Sequence, residues 1–336
     1  MFFVYLRAPP RGTHPPAATY NPTMRIRRTI AWATWALIAT WLILCAIGGI
    51  FAAEAALHPT RNHITPADGD RAQQLATANN AQLTNVAIEA ADRATLRAWV
   101  IIPAQSNGDA VILLHGQADN RAGMLGPAAM LLRHHFAVLL PDARAHGESG
   151  GNIATYGVLE RDDIRRWFDW LTRTDHPRCI DGLGDSMGAA QLLQSLSVEH
   201  GFCAIAAESA FSSFREVAYD RMGQRFNTRP WLGRTFLHPA IDFGFLYARM
   251  KYKVDLAQAS PLNAIAATPT PVLLIHGLAD TNIPPRHSEQ MKLSDVSAQL
   301  WEPPNADHCG ASDADPAGYE THLITWFQTH DSRRSQ

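Results

Sequence analysis

The chain has 336 residues, enough for one large domain or two small ones, and 46% of them are hydrophobic, as in a chain that buries a true core. A net charge of −2 provides neither the basic field of a nucleic-acid binder nor an acidic tail, so nucleic acid is not an expected partner. Lysine occurs only at Lys251, Lys253 and Lys292, and arginine carries nearly all the positive charge. We read that as genome composition, not mechanism.

The first 23 residues hold Pro9, Pro10, Pro15, Pro16 and Pro22 without any periodicity. With the basic stretch that follows, residues 1–28 read as a disordered, basic N-terminus. Met24 followed by Arg-Ile-Arg-Arg resembles the natural start of a signal anchor, which makes it an alternative start site. Residues 29–53 then run without a charge and include Trp32, Trp35, Ile38, Trp41, Leu42, Ile43, Leu44, Ile47, Ile50 and Phe51. About 20 apolar residues suffice to cross a bilayer as a helix. Arg25, Arg27 and Arg28 lie before the run and Glu54 after it. The positive flank predicts a cytoplasmic N-terminus. The expectation is a single-pass anchor in the inner or plasma membrane, with the rest of the chain on the periplasmic side. Two other readings compete. A cleaved signal peptide, with a small-residue site near Ala53-Glu54-Ala55, has an apolar region of about 7–15 residues, and this run is longer. A buried core helix sits badly with tryptophans on several faces.

Residues 54–80 read as a connector, polar from about 57 onward and holding a short helix. Residues 84–90 and 95–102 predict an antiparallel hairpin at one edge of a sheet. Strands are expected at 110–114, 136–140, 179–183, 204–207, 271–275 and 298–301. Helices are expected at 121–134, 159–173, 187–197 and 319–330, the second with Trp167, Phe168, Trp170 and Leu171 as its apolar stripe. Alternating strands and helices imply an α/β architecture, a mostly parallel eight-stranded sheet with helices on both faces. The stretch from Phe211 to Ile275 is too long for one crossover, so helices are inserted before the strand at Pro271. The insertion, about 211–262, is rich in aromatics. It reads either as extra packed helices or as a cap lining an apolar substrate pocket. Residues 81–332 make one domain.

Gly184-Asp185-Ser186-Met187-Gly188 matches G-x-S-x-G between an apolar strand and a helix. That context matters more than the pattern, which arises by chance. A nucleophilic serine on such a sharp turn exposes its hydroxyl, and Gly184 and Gly188 keep side chains out of the bend. A hydroxyl needs a base, and the base an orienting group. After this kind of turn the partners follow as Asp or Glu, then His. Asp280 comes just after the strand 271–275, and His308 follows the next strand. Asp280 would fix the imidazole tautomer and His308 would take the proton of Ser186. Asp307 adjoins His308 and points elsewhere, Asp313 and Asp315 come too late in the order, and His276 supports its loop. The backbone N–H groups of Met187 and Gln117 are the expected oxyanion donors. Asp142 and His146, which precede the serine, read as a hydrogen-bonded loop shaping the site.

Taken together, His115-Gly116 with Asn120-Arg121, residues 142–147, residues 184–190 and His276-Gly277 with Asp280 resemble the α/β-hydrolase superfamily. They are most similar to bacterial membrane-anchored hydrolases related to the prolyl-oligopeptidase-like and serine-aminopeptidase groups. The resemblance covers about residues 82–330 and implies a Ser186, Asp280 and His308 triad, with no metal and no organic cofactor. There are departures: Ala145 stands where the family usually has glycine, Asp185 is an unusual charge beside the nucleophile, and Cys309 follows the histidine. Asp185 would repel anionic substrates, raise the pKa of His308, or face solvent. The implied activity is hydrolysis of a small carboxylic ester through an acyl-enzyme. A peptide-like amide substrate is the alternative, and a non-catalytic binding protein a weaker one, since such proteins usually lose a triad member.

Of four cysteines, Cys45 lies in the apolar run. No spacing among them marks a zinc site. Cys179 and Cys203 each begin an apolar strand, and an oxidising exterior permits a disulfide. Directly paired parallel strands rarely meet disulfide geometry, so the pairing is open.

Overall fold

The computed structural model describes residues 22–228 and 230–330. The disorder expected of residues 1–21 lies outside the described residues. In chain order the elements are α1 (Pro22–Leu57), α2 (Pro66–Ala78), β1 (Ala81–Glu89), β2 (Thr95–Pro103), β3 (Ala110–Leu114), α3 (Leu125–Arg133), β4 (Ala137–Pro141), α4 (Glu160–Thr174), β5 (Ile180–Asp185), α5 (Met187–Ser195), β6 (Ile205–Glu208), α6 (Phe214–Arg225), α7 (Trp231–Arg234), α8 (His238–Tyr252), α9 (Pro261–Ile265), β7 (Val272–Ile275), α10 (Arg286–Ser294), β8 (Gln299–Trp301), α11 (Ala311–Ala314) and α12 (Pro316–His330).

The chain divides into two units, Met1–Leu44 and Cys45–Gln336. In the first, α1 is already helical from Pro22, ahead of the expected apolar run. Arg25–Leu57 is long and apolar enough to cross a membrane. Trp32 is 76% exposed and Leu37 72%, which removes the reading of a buried core helix. The helix also continues four residues past Ala53. Alanine-rich sequence such as Ala52-Ala53-Glu54-Ala55-Ala56 favours helix strongly, and a first charge marks the end of an apolar run, not of a helix.

The second unit is built on one eight-stranded sheet in the order β1-β2-β4-β3-β5-β6-β7-β8. β2 runs antiparallel to both β1 and β4, and the other neighbours are parallel. This is the α/β-hydrolase fold. The five-residue strands β3 and β4 are buried end to end, as expected of strands covered on both faces. Their alternation splits the core in two. Val111, Leu113, Val138, Leu140 and Ile275 pack with Phe136 and the α12 residues Leu323 and Phe327. Ile112, Leu114, Leu139 and Leu274 face the other way, onto Ile164 and Trp167 of α4 and Leu192 and Leu193 of α5. A third cluster lies under the inserted helices and joins Leu57, Tyr156, Phe211, Phe214 and Ala248.

Several local devices hold the site-bearing loops. Thr65 caps α2 through a reciprocal box with Asp68. The arm between α1 and α2 is bolted to the body, with Arg61 donating to the carbonyls of Ser149 (2.5 Å) and Gly151 (2.9 Å). Arg144 grips Asp163 of α4 through two bonds of 2.7 and 2.8 Å, both groups buried. Cys179 and Cys203 form a disulfide with Cα atoms 5.8 Å apart. Both cysteines lie just ahead of the ladder that pairs β5 with β6 from Gly182↔Ile205 onward, so the geometric objection to paired positions does not apply.

Candidate active site

The turn between β5 and α5 puts Ser186 at φ 53° and ψ −111°, a left-handed strained conformation for a residue with a Cβ. The Ser186 N–H donates to the Glu208 carbonyl at 2.8 Å, which ties the bend to β6. The two flanking glycines are required by close approach. A methyl at Gly188 would lie 2.3 Å from the Leu114 carbonyl oxygen, and one at Gly184 2.7 Å from the Ala189 nitrogen. The helix can therefore start hard against β3 and leave the hydroxyl free.

The structure brings the three expected side chains together. Ser186 Oγ is 2.9 Å from His308 Nε2, and His308 Nδ1 is 2.8 Å from Asp280 Oδ2. A carboxylate only accepts, so Nδ1 carries the proton and Nε2 is the acceptor facing the serine hydroxyl. Burial pushes the Asp280 carboxyl up, but His276, whose Nε2 lies 3.4 Å from Oδ2, and the hydrogen bond from His308 overcome it and hold the group well below the ordinary carboxylate range. Asp280 Oδ1 also accepts from the N–H groups of Asn282 (2.9 Å) and Ile283 (2.8 Å). His276 is locked from both sides. Its Nε2–H donates to the Ile283 carbonyl (2.8 Å), and its Nδ1 accepts from Ser288 (2.6 Å). Asp307 is exposed and accepts the His308 N–H at 2.8 Å. Beyond the histidine, Asp315 accepts the Gly318 N–H at the start of α12, and Asp313 lies in α11.

Met187 opens α5, so its N–H has no intrahelical acceptor. Gln117 follows Gly116 at the end of β3. A methyl at Gly116 would sit 3.7 Å from Ser186 Cβ, so this loop lies against the serine. Gln117, Ser186 and Met187 line one cavity of about 320 Å³. Its other walls are mostly apolar, with Tyr156 and the charged Arg221 among them. Phe214, Val217 and Met222 come from α6, Ile241 and Phe245 from α8, and Gly49, Ala52, Ala53, Ala55 and Ala56 from α1. The insertion thus lines the pocket as well as packing on the body. It is fastened at one end by Asp220 of α6, which receives Arg286 (2.6 Å) and His287 (2.7 Å) of α10.

The loop at 142–149 does structural work. Asp142 accepts the N–H groups of Arg121 (2.8 Å) and Glu148 (2.7 Å) and pairs with the Arg121 guanidinium. His115 Nδ1–H donates to the Gly116 carbonyl (2.8 Å), and its Nε2 accepts the Ala143 N–H (3.0 Å), joining the ends of β3 and β4. His146 is fully buried, and burial lowers its pKa to about 4. Ala145 sits at φ 60°, which explains why glycine is the usual residue at such a position. Asp185 is only partly exposed. Its Oδ1 is buried without a hydrogen-bond partner, and it lies beside Glu208 in the β5–β6 register. Burial first, and then Glu208 and Asp119, raise its pKa well above the ordinary value. Burial likewise keeps the Cys309 thiol protonated.

Sequence reasoning missed Tyr156. Its hydroxyl donates to the Ala56 carbonyl (2.7 Å) and accepts from the Gln117 side-chain amide (2.9 Å). It missed Glu208, whose carboxylate accepts the Ala311 N–H (2.9 Å), and the Ser209 hydroxyl, which accepts the Cys309 N–H (3.1 Å) and steadies the histidine loop. It also missed the α1 wall. No group of three or more His, Cys, Asp or Glu suited to a metal occurs among the described residues.

Fold and site together define a hydrolase with a serine at a strand-to-helix turn. The sequence pattern of the Alpha/beta hydrolase family matches residues 111–320, and the chain belongs to that family. Among curated relatives, the uncharacterized protein YqkD of Bacillus subtilis is 32% identical over 184 residues, 54% of this chain and 58% of that protein, so the match spans little more than half of YqkD. The uncharacterized protein YfhR of Salmonella typhimurium is 27% identical over 74% of this chain and 82% of its own length. Among solved structures, the Pyrococcus furiosus esterase Pf2001 superposes with a TM-score of 0.64 at 22% identity, covering 81% of this chain and 99% of that one. A puromycin-hydrolyzing peptidase of Mycobacterium tuberculosis gives 0.59 at 15% identity, over 76% of this chain and 40% of that one. At these identities the likeness is one of fold.

Proposed function

We propose that this chain is a membrane-anchored serine hydrolase that cleaves carboxylic esters through an acyl-enzyme. The observation that carries the reading is the relay Ser186–His308–Asp280, with links of 2.9 and 2.8 Å, opening into an apolar cavity. Ser186 Oγ attacks the ester carbonyl carbon as His308 Nε2 takes its proton. The oxyanion is met by the N–H groups of Met187 and Gln117, which are fixed in place before charge develops and so stabilise the transition state preferentially. The intermediate collapses, the C–O bond breaks, and the imidazolium returns its proton to the departing alcohol. Water then attacks the acyl-serine by the same route, with His308 as base, and frees the acid. Asp280 holds the imidazole in the tautomer both halves require.

Residues 29–53 act in this reading as the anchor, 54–80 as the connector and 81–332 as the hydrolase domain, with 211–262 as its cap. The arginines at 25, 27 and 28 favour a cytoplasmic N-terminus. The Cys179–Cys203 disulfide fits an oxidising compartment for the catalytic domain. The apolar cavity walls favour an ester with a hydrophobic acyl group over a peptide amide. A fluorophosphonate probe should label the wild-type protein and not Ser186→Ala, and p-nitrophenyl esters should turn over faster than aminoacyl p-nitroanilides. Labelling that persists in Ser186→Ala, or an amide preference, would overturn this assignment.

A further inference from the structure

We propose that the last turns of α1 are a wall of the acyl pocket, and that the substrate is a single-chain acyl ester resident in a membrane. This rests on the hydrolase reading above and adds the class of acyl donor to it. The apolar helix is therefore part of the site as well as its tether.

The first support is position along the helix. Glu54 marks the polar end of the apolar run, and its carboxylate receives Lys251 Nζ (2.8 Å) and the hydroxyls of Tyr252 (2.8 Å) and Tyr247. Tyrosine and lysine are the side chains expected at a membrane–water boundary. Gly49 and Ala52 precede this collar. At 1.5 Å per residue, Gly49 lies about 7.5 Å to its apolar side. The cavity that contains Ser186 thus reaches along α1 to the level of residues that bilayer hydrocarbon would surround.

The second support is what covers the two faces of α1 there. On the inner face the seam is tight, since a methyl at Gly49 would meet the Ala240 carbonyl oxygen at 2.0 Å. On the outer face Phe51 is 72% exposed. On the cap, Leu246 and Met250, one turn apart on α8, are likewise apolar and exposed. Apolar side chains of α1 and α8 would thus flank an acyl chain entering from hydrocarbon.

The third support is size. About 320 Å³ lies at the lower end of small-molecule pockets and gives room for one acyl chain. The helix end is also wired to the reacting centre, because the Ala56 carbonyl holds Tyr156 and Tyr156 holds the Gln117 side chain.

The test uses the full-length chain in phosphatidylcholine vesicles, with p-nitrophenyl esters from butyrate to palmitate and, separately, a monoacylglycerol mixed into the vesicles. In the wild type kcat/KM should rise from butyrate to about decanoate, and the monoacylglycerol should be hydrolysed. Ala52→Phe should lower the decanoate-to-butyrate ratio by about tenfold or more, the worth of at least one misplaced methylene. Ile47→Phe, which puts the same bulk on the exposed face, should keep the wild-type ratio. If Ala52→Phe does not accumulate, Ala52→Val should shift the ratio in the same direction and Phe245→Ala in the opposite one. An unchanged ratio in the Ala52 variants, or a monoacylglycerol left intact by a protein that cleaves butyrate, overturns the proposal and leaves the hydrolase reading standing. A protein that cleaves no ester and takes no probe at Ser186 overturns the hydrolase reading itself.

Discussion

Replacing Asp280 by asparagine changes one atom, and its consequence can be worked out from the hydrogen bonds around it. Asp280 Oδ1 accepts two backbone N–H groups, from Asn282 and Ile283. An asparagine must keep its oxygen there, because the reverse orientation would face two N–H groups with an NH₂, at about 1–3 kcal/mol for each donor left unsatisfied. The amide NH₂ then occupies the place of Oδ2, opposite His308 Nδ1. His276 offers no relief, since its Nε2–H is committed to the Ile283 carbonyl. His308 must turn its tautomer, accept at Nδ1 and carry its proton at Nε2. That nitrogen then cannot take the proton of Ser186. The expected loss in kcat is on the order of 10³–10⁴, or about 4–5 kcal/mol of barrier. Stopped assays with p-nitrophenyl butyrate, run beside Ser186→Ala as the floor, measure it. The melting temperature should move by a few degrees at most, because the fold keeps both Oδ1 contacts. An Asp280→Asn protein that retains more than about a tenth of wild-type kcat would refute the assignment of Asp280 as the orienting group.

Three further outcomes follow from groups outside the relay. The Cys179→Ser, Cys203→Ser double variant opens a closed loop of 24 residues and should lose about 3.5 kcal/mol of stability by the loop-entropy relation; chemical denaturation with and without reductant checks it, and a wild type indifferent to reductant would contradict it. Asp185→Asn should raise the melting temperature by a few degrees at pH 8 and by less at pH 5. The raised pKa of Asp185 means that the native state holds a proton the unfolded chain releases above about pH 4, so the wild type loses stability as pH rises and the asparagine variant does not. His146 works in the opposite direction: its folded pKa is about 4, so the unfolded chain takes up a proton near pH 6.5 that the native state refuses. Stability should be full above that pH and fall by about 3 kcal/mol toward pH 4. A His146→Phe protein with the same slope of melting temperature against pH would remove His146 as the cause.

The relay was legible because each of its parts is fixed by local chain geometry. Glycines at 184 and 188 are needed where this helix starts against a neighbouring strand, Asp280 stands in the loop after the buried β7, and His308 in the loop after the short, partly exposed β8. Strand edges moved by one to three residues, as with β1, which begins at Ala81, and β5, which begins at Ile180 and ends at Asp185. α10 left no signal. It follows Pro284 and Pro285 and buries only His287, Ser288 and Met291, so no apolar stripe marks it. The role of Asp185 was equally hidden, because only the register of β5 with β6 sets it beside Glu208.

The α1 wall was hidden for a more general reason. Gly49, Ala52, Ala53 and Ala56 recur at the spacing of one helix face, but small residues in an apolar run look the same whether they face lipid or a neighbouring helix. Their meaning comes from α8, nearly two hundred residues later, whose Gly244 also brings its backbone close to Gly49. Hydropathy along a sequence reports how much of a helix prefers to leave water, not which partner it leaves water for. In this chain the two partners meet on one helix. Its exposed face fits hydrocarbon, its small-residue face helps to line a cavity at Ser186, and its Ala56 carbonyl, through Tyr156, steadies the loop that carries Gln117. A cut between anchor and enzyme at Ala53, natural from the sequence, would therefore remove part of the pocket along with the tether.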